Sequence, residues 1–363
     1  MTRAGSLVGL GLIAAAVLTL TAIGMGGSVF AVAAILALLP LPLYVAIVLW
    51  LDRFEPEPRG MLATAFLWGA SIAVVVAGLA NGLVEQAAGP VMTSIVSAPL
   101  VEEALKGAIL LRFFVKRKDE FDGVVDGVIY AAMVGLGFAF AENIDYYGRA
   151  FKASGVEGLG VVFTLRAVIA PFSHPLFTGA FGLGLGLARQ LRSRSAATAA
   201  AALGFVGAVG LHLLWNAGAS AGLVFFGVYS LVMLPALAIL FVAVALALRF
   251  EGRIIRARLA PEAAAGLIST GDYAALCSAR GRLHALSAAL QGGGVGAWKA
   301  RRVYHRAASE LAFLRHRADI DGAALDPALE ERCLRDLGVP PAAGAEGTGS
   351  EPAGTEPAGP ASG

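Results

Sequence analysis

The sequence predicts an all-α, polytopic membrane protein of about eight transmembrane helices, with a small helical C-terminal segment on the cytoplasmic side. Three observations lead there. Of the 363 residues, 57% are hydrophobic and 15% charged, with a mean hydropathy of +0.73, more apolar surface than a water-soluble fold can enclose. The apolar residues fall in runs long enough to cross about 30 Å of hydrocarbon at about 1.5 Å per residue. The basic residues gather between those runs, mostly on one side.

The runs lie near residues 6–24, 28–50, 60–80, 92–114, 123–147, 160–188, 196–217 and 221–248. The first follows Arg3 like a signal peptide but lacks a small-residue cleavage site, so it is expected to be retained. With eight helices kept, Arg53, Arg59, Arg112, Lys116 to Lys118, Arg189 to Arg194 and Arg249 to Arg258 share one side, and the other receives only Arg149 and Lys152. The positive-inside rule then places both termini in the cytoplasm of a multi-pass plasma-membrane protein. The net charge of +2, from 28 basic and 26 acidic residues, offers no electrostatic reason for a nucleic-acid partner. Membrane lipid is the expected surround.

Three regions follow: a transmembrane part over 1–250, a cytoplasmic helical segment over 251–338 and a disordered tail over 339–363. The middle one carries amphipathic stretches, Asp272 to Leu290 and Trp298 to His316, split at Gly292-Gly293-Gly294. Cys277 and Cys333 are too few for a disulfide framework and wrongly spaced for a zinc site. The tail holds too few large apolar groups to fold.

An ionisable group near the centre of a membrane helix costs roughly 2.5–3.5 kcal/mol on insertion scales. Four helices accept that cost. The fourth contains Glu102, Glu103 and Lys106, the fifth Glu142 and Asn143, the sixth Arg166 and His174, and the seventh His212 and Asn216. Lys106 is four residues from Glu102 and three from Glu103, so one ammonium serves both carboxylates. Adjacent carboxylates in low dielectric compete for one proton, the arrangement expected of a base that must also act as an acid. His212 and Asn216 are likewise four apart and point into one space. Pro99, Pro171 and Pro175 interrupt their helices, as happens where membrane helices line a cavity.

Each group also has a structural reading. Glu102 with Lys106 could be a buried ion pair, His174 before Pro175 a cap on a broken helix, Asn143 and Asn216 interhelical hydrogen-bonding groups, and Arg166 a partner for a carboxylate. Gly182, Gly184 and Gly186 read as close-packing positions. Convergence at one depth favours a site. Counted from the predicted helix ends, Glu102 lies about ten residues in from the outer side and Glu142 and His212 about five.

The order Glu-Glu-x-x-Lys (Glu102, Glu103, Lys106), Phe-x-x-x-Glu-Asn (Phe138, Glu142, Asn143), a single His174 and His-x-x-x-Asn (His212, Asn216) resembles the PrsW family of intramembrane proteases, within the wider group of CAAX prenyl endoproteases and bacteriocin-processing enzymes. The loop Asp52-Arg53-Phe54-Glu55-Pro56-Glu57-Pro58 resembles a PrsW loop too, and the likeness covers about residues 45–250. Relative to the CAAX enzymes, Glu142 stands where a histidine would be and Lys106 replaces an arginine one position further on, which fits the PrsW branch and speaks against prenylated substrates.

The resemblance implies an endopeptidase that cuts in or beside a membrane-spanning protein, a single-pass substrate such as an anti-sigma factor. Residue by residue, it implies that Glu102 activates the water while Glu103 and Lys106 set its ionisation. His174 and His212 would hold the water or the oxyanion, with Asn216 as a further donor, and Glu142 and Asn143 would complete the pocket. Glu142, His174 and His212 could also hold Zn2+; against this, no His-Glu-x-x-His pair is present, and a Glu-His dyad activates water without metal. The alternative is an ion-coupled transporter using the same Glu/His cluster as a proton relay. The absence of similar halves counts against it.

Overall fold

The computed structural model describes residues 3–118, 120–321 and 324–338, and the tail expected over 339–363 lies outside them. The described residues divide into two compact units, one running up to Arg253 and including Cys277–Gly281, the other formed by Ile254–Leu276 and the residues from Arg282 onward. Regular structure is entirely helical among the described residues.

The first unit begins with α1 (Arg3–Met25), α2 (Gly27–Leu38) and α3 (Leu41–Leu51). The break between α2 and α3 falls at Pro40, which cannot donate the next helical hydrogen bond. After the loop 52–58 come α4 (Arg59–Trp68), α5 (Val74–Met92) and α6 (Ala98–Lys116), joined by π-helical turns at Gly69–Ala73 and Thr93–Ser97. Then follow α7 (Val124–Phe163), a π-helical turn at Thr164–Ile169, α8 (Ser173–Gln190), α9 (Arg194–Ser220), α10 (Val224–Val228) and α11 (Leu234–Arg258).

Six helical stretches among the described residues are long and apolar enough to cross a membrane: Leu7–Met25, Gly27–Leu51, Arg59–Lys116, Val124–Gln190, Arg194–Ser220 and Val224–Arg258. The sequence expects eight separate runs. The third and fourth share Arg59–Lys116 and the fifth and sixth share Val124–Gln190, because helical hydrogen bonding continues through the polar residues between them. Each long stretch is bent where its backbone leaves the helical region: at Gly89 (φ 82°, ψ 168°) before Pro90, at Ser154 and Gly155 (φ 60°, ψ −147°), and at Ala170 (φ −127°, ψ 49°).

The centre of this unit is the first half of α7, where all residues from Val124 to Ala139 are buried. Glycine makes that enclosure possible. A Cβ added at Gly127 would come 2.2 Å from the carbonyl oxygen of Gly182, and one at Gly137 would come 2.0 Å from that of Phe66. Gly184 meets Gly204 in the same way, so α8 lies between α7 and α9 at backbone contact. Such close approach replaces the hydrophobic driving force that helices lack in lipid. The outward faces carry Leu79, Leu203 and Leu231, each at least 69% exposed, as a lipid-facing surface requires.

The second unit contains α12 (Ala260–Ala264), α13 (Thr270–Leu276), most of α14 (Ala279–Asp321), and α15 (Pro327–Asp336). The glycine run splits α14 at Gly294 (φ 65°, ψ −159°). Arg282 is buried here and donates from Nε to the Leu276 carbonyl (2.9 Å) and from a terminal nitrogen to Ser309 Oγ (2.8 Å). Arg315 joins three segments, reaching Glu262 (2.7 Å), Glu330 (2.9 Å) and the Arg258 carbonyl (3.0 Å).

Candidate functional site

Four helices of the first unit bring their ionisable groups together inside apolar surroundings. On α6, Glu102, Glu103 and Lys106 point inward and Lys106 is wholly buried. Its Nζ lies 2.8 Å from Glu103 Oε1, 3.5 Å from Glu102 Oε2 and 3.1 Å from His174 Nδ1, and 3.9 Å from the centre of the Phe138 ring. A buried ammonium thus compensates two carboxylates and an aromatic face, which is what keeps such a group in low dielectric.

His174 stands in the first turn of α8 because Ala170 and Pro171 end the preceding π-helical turn. Its Nε2 is 2.8 Å from Glu142 Oε2 on α7. The partners assign its tautomer: Lys106 donates to Nδ1, so Nε2 carries the proton and donates to Glu142. Glu142 also accepts from Arg166 (2.6 Å), whose Nε donates to Asn143 Oδ1 and whose guanidinium lies 4.1 Å over the Tyr146 ring. Arg166 therefore has the carboxylate partner that the sequence proposes for it.

His212 on α9 places Nδ1 3.0 Å from Glu103 Oε1 and Nε2 3.8 Å from Glu102 Oε2, with its ring stacked on Phe177 at 4.7 Å. Glu103 is fully engaged, since Thr178 Oγ1 donates to its second oxygen at 2.8 Å. Glu102 differs. Among the described residues, only one of its oxygens is approached, at 3.5 Å by Lys106 and at 3.8 Å by His212. Of the adjacent glutamates, one is an anchored anion and the other keeps acceptor capacity free to take a proton.

Asn216 does not join the cluster. Its amide donates to the Ser94 carbonyl at 2.7 Å, tying α9 to the turn before α6. Sequence spacing places it on the His212 face but cannot say which partner claims the amide. Thr178, which the sequence reading leaves out, follows His174 by one helical turn; that i, i+4 spacing inside an apolar helix was its signal.

Among the described residues, Glu102, His174 and His212 offer ligand atoms that all lie within 4.8 Å of one another. Glu102 thus takes the place expected of Glu142, whose oxygen is committed to Arg166 and His174. Two imidazoles and a carboxylate form a zinc-type donor set, and Glu103 on Nδ1 of His212 is the carboxylate usually found behind a ligating histidine. The donor types fit such an ion, which would have to take from Lys106 the Nδ1 lone pair of His174.

The break before His174 is held from two sides. Tyr44 on α3 donates to the Ala167 carbonyl, and Tyr229 donates to that of Ile169 at 2.6 Å. Two pockets meet at this break. One is lined by Tyr44, Phe140, Asn143, Arg166 and Ser173, and the other by Phe172, Phe177, Trp215, Tyr229 and Met233. A polar and an aromatic recess therefore flank His174.

The chain has recognisable relatives. The family model described as PrsW family intramembrane metalloprotease matches residues 57–240. The chain is 36% identical over 143 residues to Protease PrsW of Geobacillus kaustophilus, covering 38% of this chain and 58% of that relative. It is 36% identical over 136 residues to Protease PrsW of Clostridioides difficile, covering 36% and 55%, and 32% identical over 140 residues to that of Bacillus subtilis, covering 38% and 60%. The matches span less than two thirds of these relatives. No solved structure matches the chain significantly.

Proposed function

This chain belongs to the PrsW family of intramembrane metalloproteases, and from that premise we propose that it is an endopeptidase that hydrolyses a peptide bond in or near a membrane-spanning protein. The observation carrying the proposal is the asymmetry of the two glutamates. Glu103 is saturated by Lys106, His212 and Thr178, while Glu102 beside it is held only loosely, at 3.5 Å by Lys106 and 3.8 Å by His212.

Glu102 removes a proton from that water as its oxygen attacks the scissile carbonyl, and afterwards delivers the proton to the leaving amine. His212, fixed through Nδ1 by Glu103, turns Nε2 toward Glu102, so one water can be held between them. Lys106 is the nearest positive charge to this point and offsets the charge that develops on the carbonyl oxygen. His174 is oriented by Glu142, which Arg166 holds in turn. A zinc-type ion held by Glu102, His174 and His212 would make the bound water more acidic.

The 58-residue and 67-residue stretches would be about 85 and 100 Å long if straight, far beyond the hydrocarbon thickness. We read each as two crossings divided at Gly89 and near Gly155, which gives eight in all. Both termini are then cytoplasmic, with residues 1–250 forming the protease part and 251–338 a cytoplasmic helical segment in the plasma membrane's aqueous margin. The substrate class is a single-pass membrane protein such as an anti-sigma factor.

The test is cleavage of single-pass membrane proteins from the same cell, beginning with anti-sigma factors, by the purified full chain and its Glu102→Gln variant, with and without a chelator. Cutting by the wild type alone shows that Glu102 is required; persistence of cutting with chelator then assigns it as the base, and loss with chelator adds the ion. Equal cutting by both removes Glu102 from its role. No cutting, together with ion flux into vesicles, favours a carrier.

A further inference from the structure

Between Asp272 and Glu310 the chain has six lysines and arginines and no acid. Two of the six are accounted for inside the second unit: Arg282 is buried, and Arg301 pairs with Asp272 at 2.6 Å. Arg280 belongs to the first unit, and Lys299, Arg302 and Arg306 remain. They are exposed, no carboxylate pairs with them among the described residues, and they recur at intervals of three and four on α14.

Helical geometry puts these three on one face, and Val295 (59% exposed) and Val303 (54% exposed) interleave with them. The opposite face of the same turns packs inward through His305, Ala308, Leu311 and Ala312. Arg302 lies 4.8 Å over the Trp298 ring, a cation resting on an apolar plate. Cations and aliphatic groups mixed on one face, with an aromatic at the edge, are the composition of a helix that lies in a membrane interface. The second unit begins within α11, the last apolar helix, so the chain itself tethers it to a membrane segment.

We propose that the face of α14 formed by Val295, Lys299, Arg302, Val303 and Arg306 docks on the anionic lipid headgroups of the leaflet next to the end of α11. Charge complementarity selects the partner. Each cation near such a surface raises partition by roughly fivefold, so the three together supply on the order of a hundredfold. The attraction reaches about 8 Å at physiological salt and is weakened when salt is raised.

The test uses the full chain in lipid nanodiscs of phosphatidylcholine alone or of equal parts phosphatidylcholine and phosphatidylglycerol. A spin label on Val303→Cys, with Cys277 and Cys333 replaced by alanine, reports its accessibility to a water-soluble relaxing agent. Hydrogen exchange across 295–306 in the unsubstituted chain gives a second measure. We expect accessibility and exchange to fall several-fold in the anionic discs, to recover in high salt, and to change little in the Lys299→Gln, Arg302→Gln, Arg306→Gln triple variant. Equal values in both discs overturn the proposal, as does equal protection in neutral discs, which would leave the charges no part. Protection that appears only when soluble RNA is added gives the face to another partner and overturns it too.

Discussion

The ammonium of Lys106 lies 2.8 Å from Oε1 of Glu103, one turn away on the same helix, with both side chains sealed from solvent. Everything else in the cluster is arranged around that pair. Glu102 and His174 share its cation, and His212 and Thr178 share its carboxylate.

Removing one member of this pair leaves the other as an uncompensated buried charge. Lys106→Met should destabilise the first unit by roughly 3–5 kcal/mol. Glu102→Gln, at a carboxylate held only loosely, should leave stability nearly unchanged while lowering cleavage at least about 100-fold. Thermal unfolding in detergent beside peptide-bond cleavage separates the two effects. A Lys106→Met protein as stable as the wild type would show that the pair does not hold the helices together.

The hydroxyls of Tyr44 and Tyr229 satisfy carbonyls left over where the helix breaks before His174. Each such bond is worth about 1 kcal/mol net. Tyr229→Phe should therefore speed amide exchange over 164–173 about fivefold and leave α7 unchanged. Acceleration spread evenly over the unit would instead mean that the ring's packing, and not its hydroxyl, is what matters.

Stability should also depend on pH through the loop before α4. Burial pushes the Asp52 carboxyl up to about 8, against the opposing hydrogen bond from the Glu57 amide, and burial pushes Glu57 itself up to about 12. A carboxyl whose pKa is raised on folding contributes its stability fully below the unfolded value near 4, and that contribution is lost as pH rises through the folded value. The slope for each group is at most about 1.4 kcal/mol per pH unit. The unfolding midpoint should be higher at pH 6 than at pH 8, with a smaller difference in Asp52→Asn. An unchanged difference in that variant would place the dependence elsewhere.

Much of the site could be read from the residues because lipid makes ionisable groups conspicuous. Glu102, Glu103 and Lys106 declare their shared face by spacing alone, and Arg166 its need for a carboxylate. What spacing could not supply was competition for partners. Asn216 sits on the correct face yet gives its amide to Ser94, and Glu142 is drawn to Arg166 so that Glu102 stands with the two histidines. The number of separate helical stretches was also hidden. Apolar runs end at polar residues, whereas the helical stretches continue past them and bend where the backbone leaves helical angles, at Gly89, Gly155 and Ala170.

The enclosure of α7 bears on how the chain is made. From Val124 to Ala139 it has protein on every side, and it carries Asp126 and the small residues Gly127, Gly135 and Gly137 instead of a lipid-facing stripe. Alone beside lipid its small-residue grooves would have no helix to fill them. Its grooves are filled by α4, already synthesised, and by α8, which is not. During synthesis α7 should therefore wait at the insertion machinery until α8 emerges, so that the two enter the bilayer as a pair and the Glu/His cluster is assembled as they do.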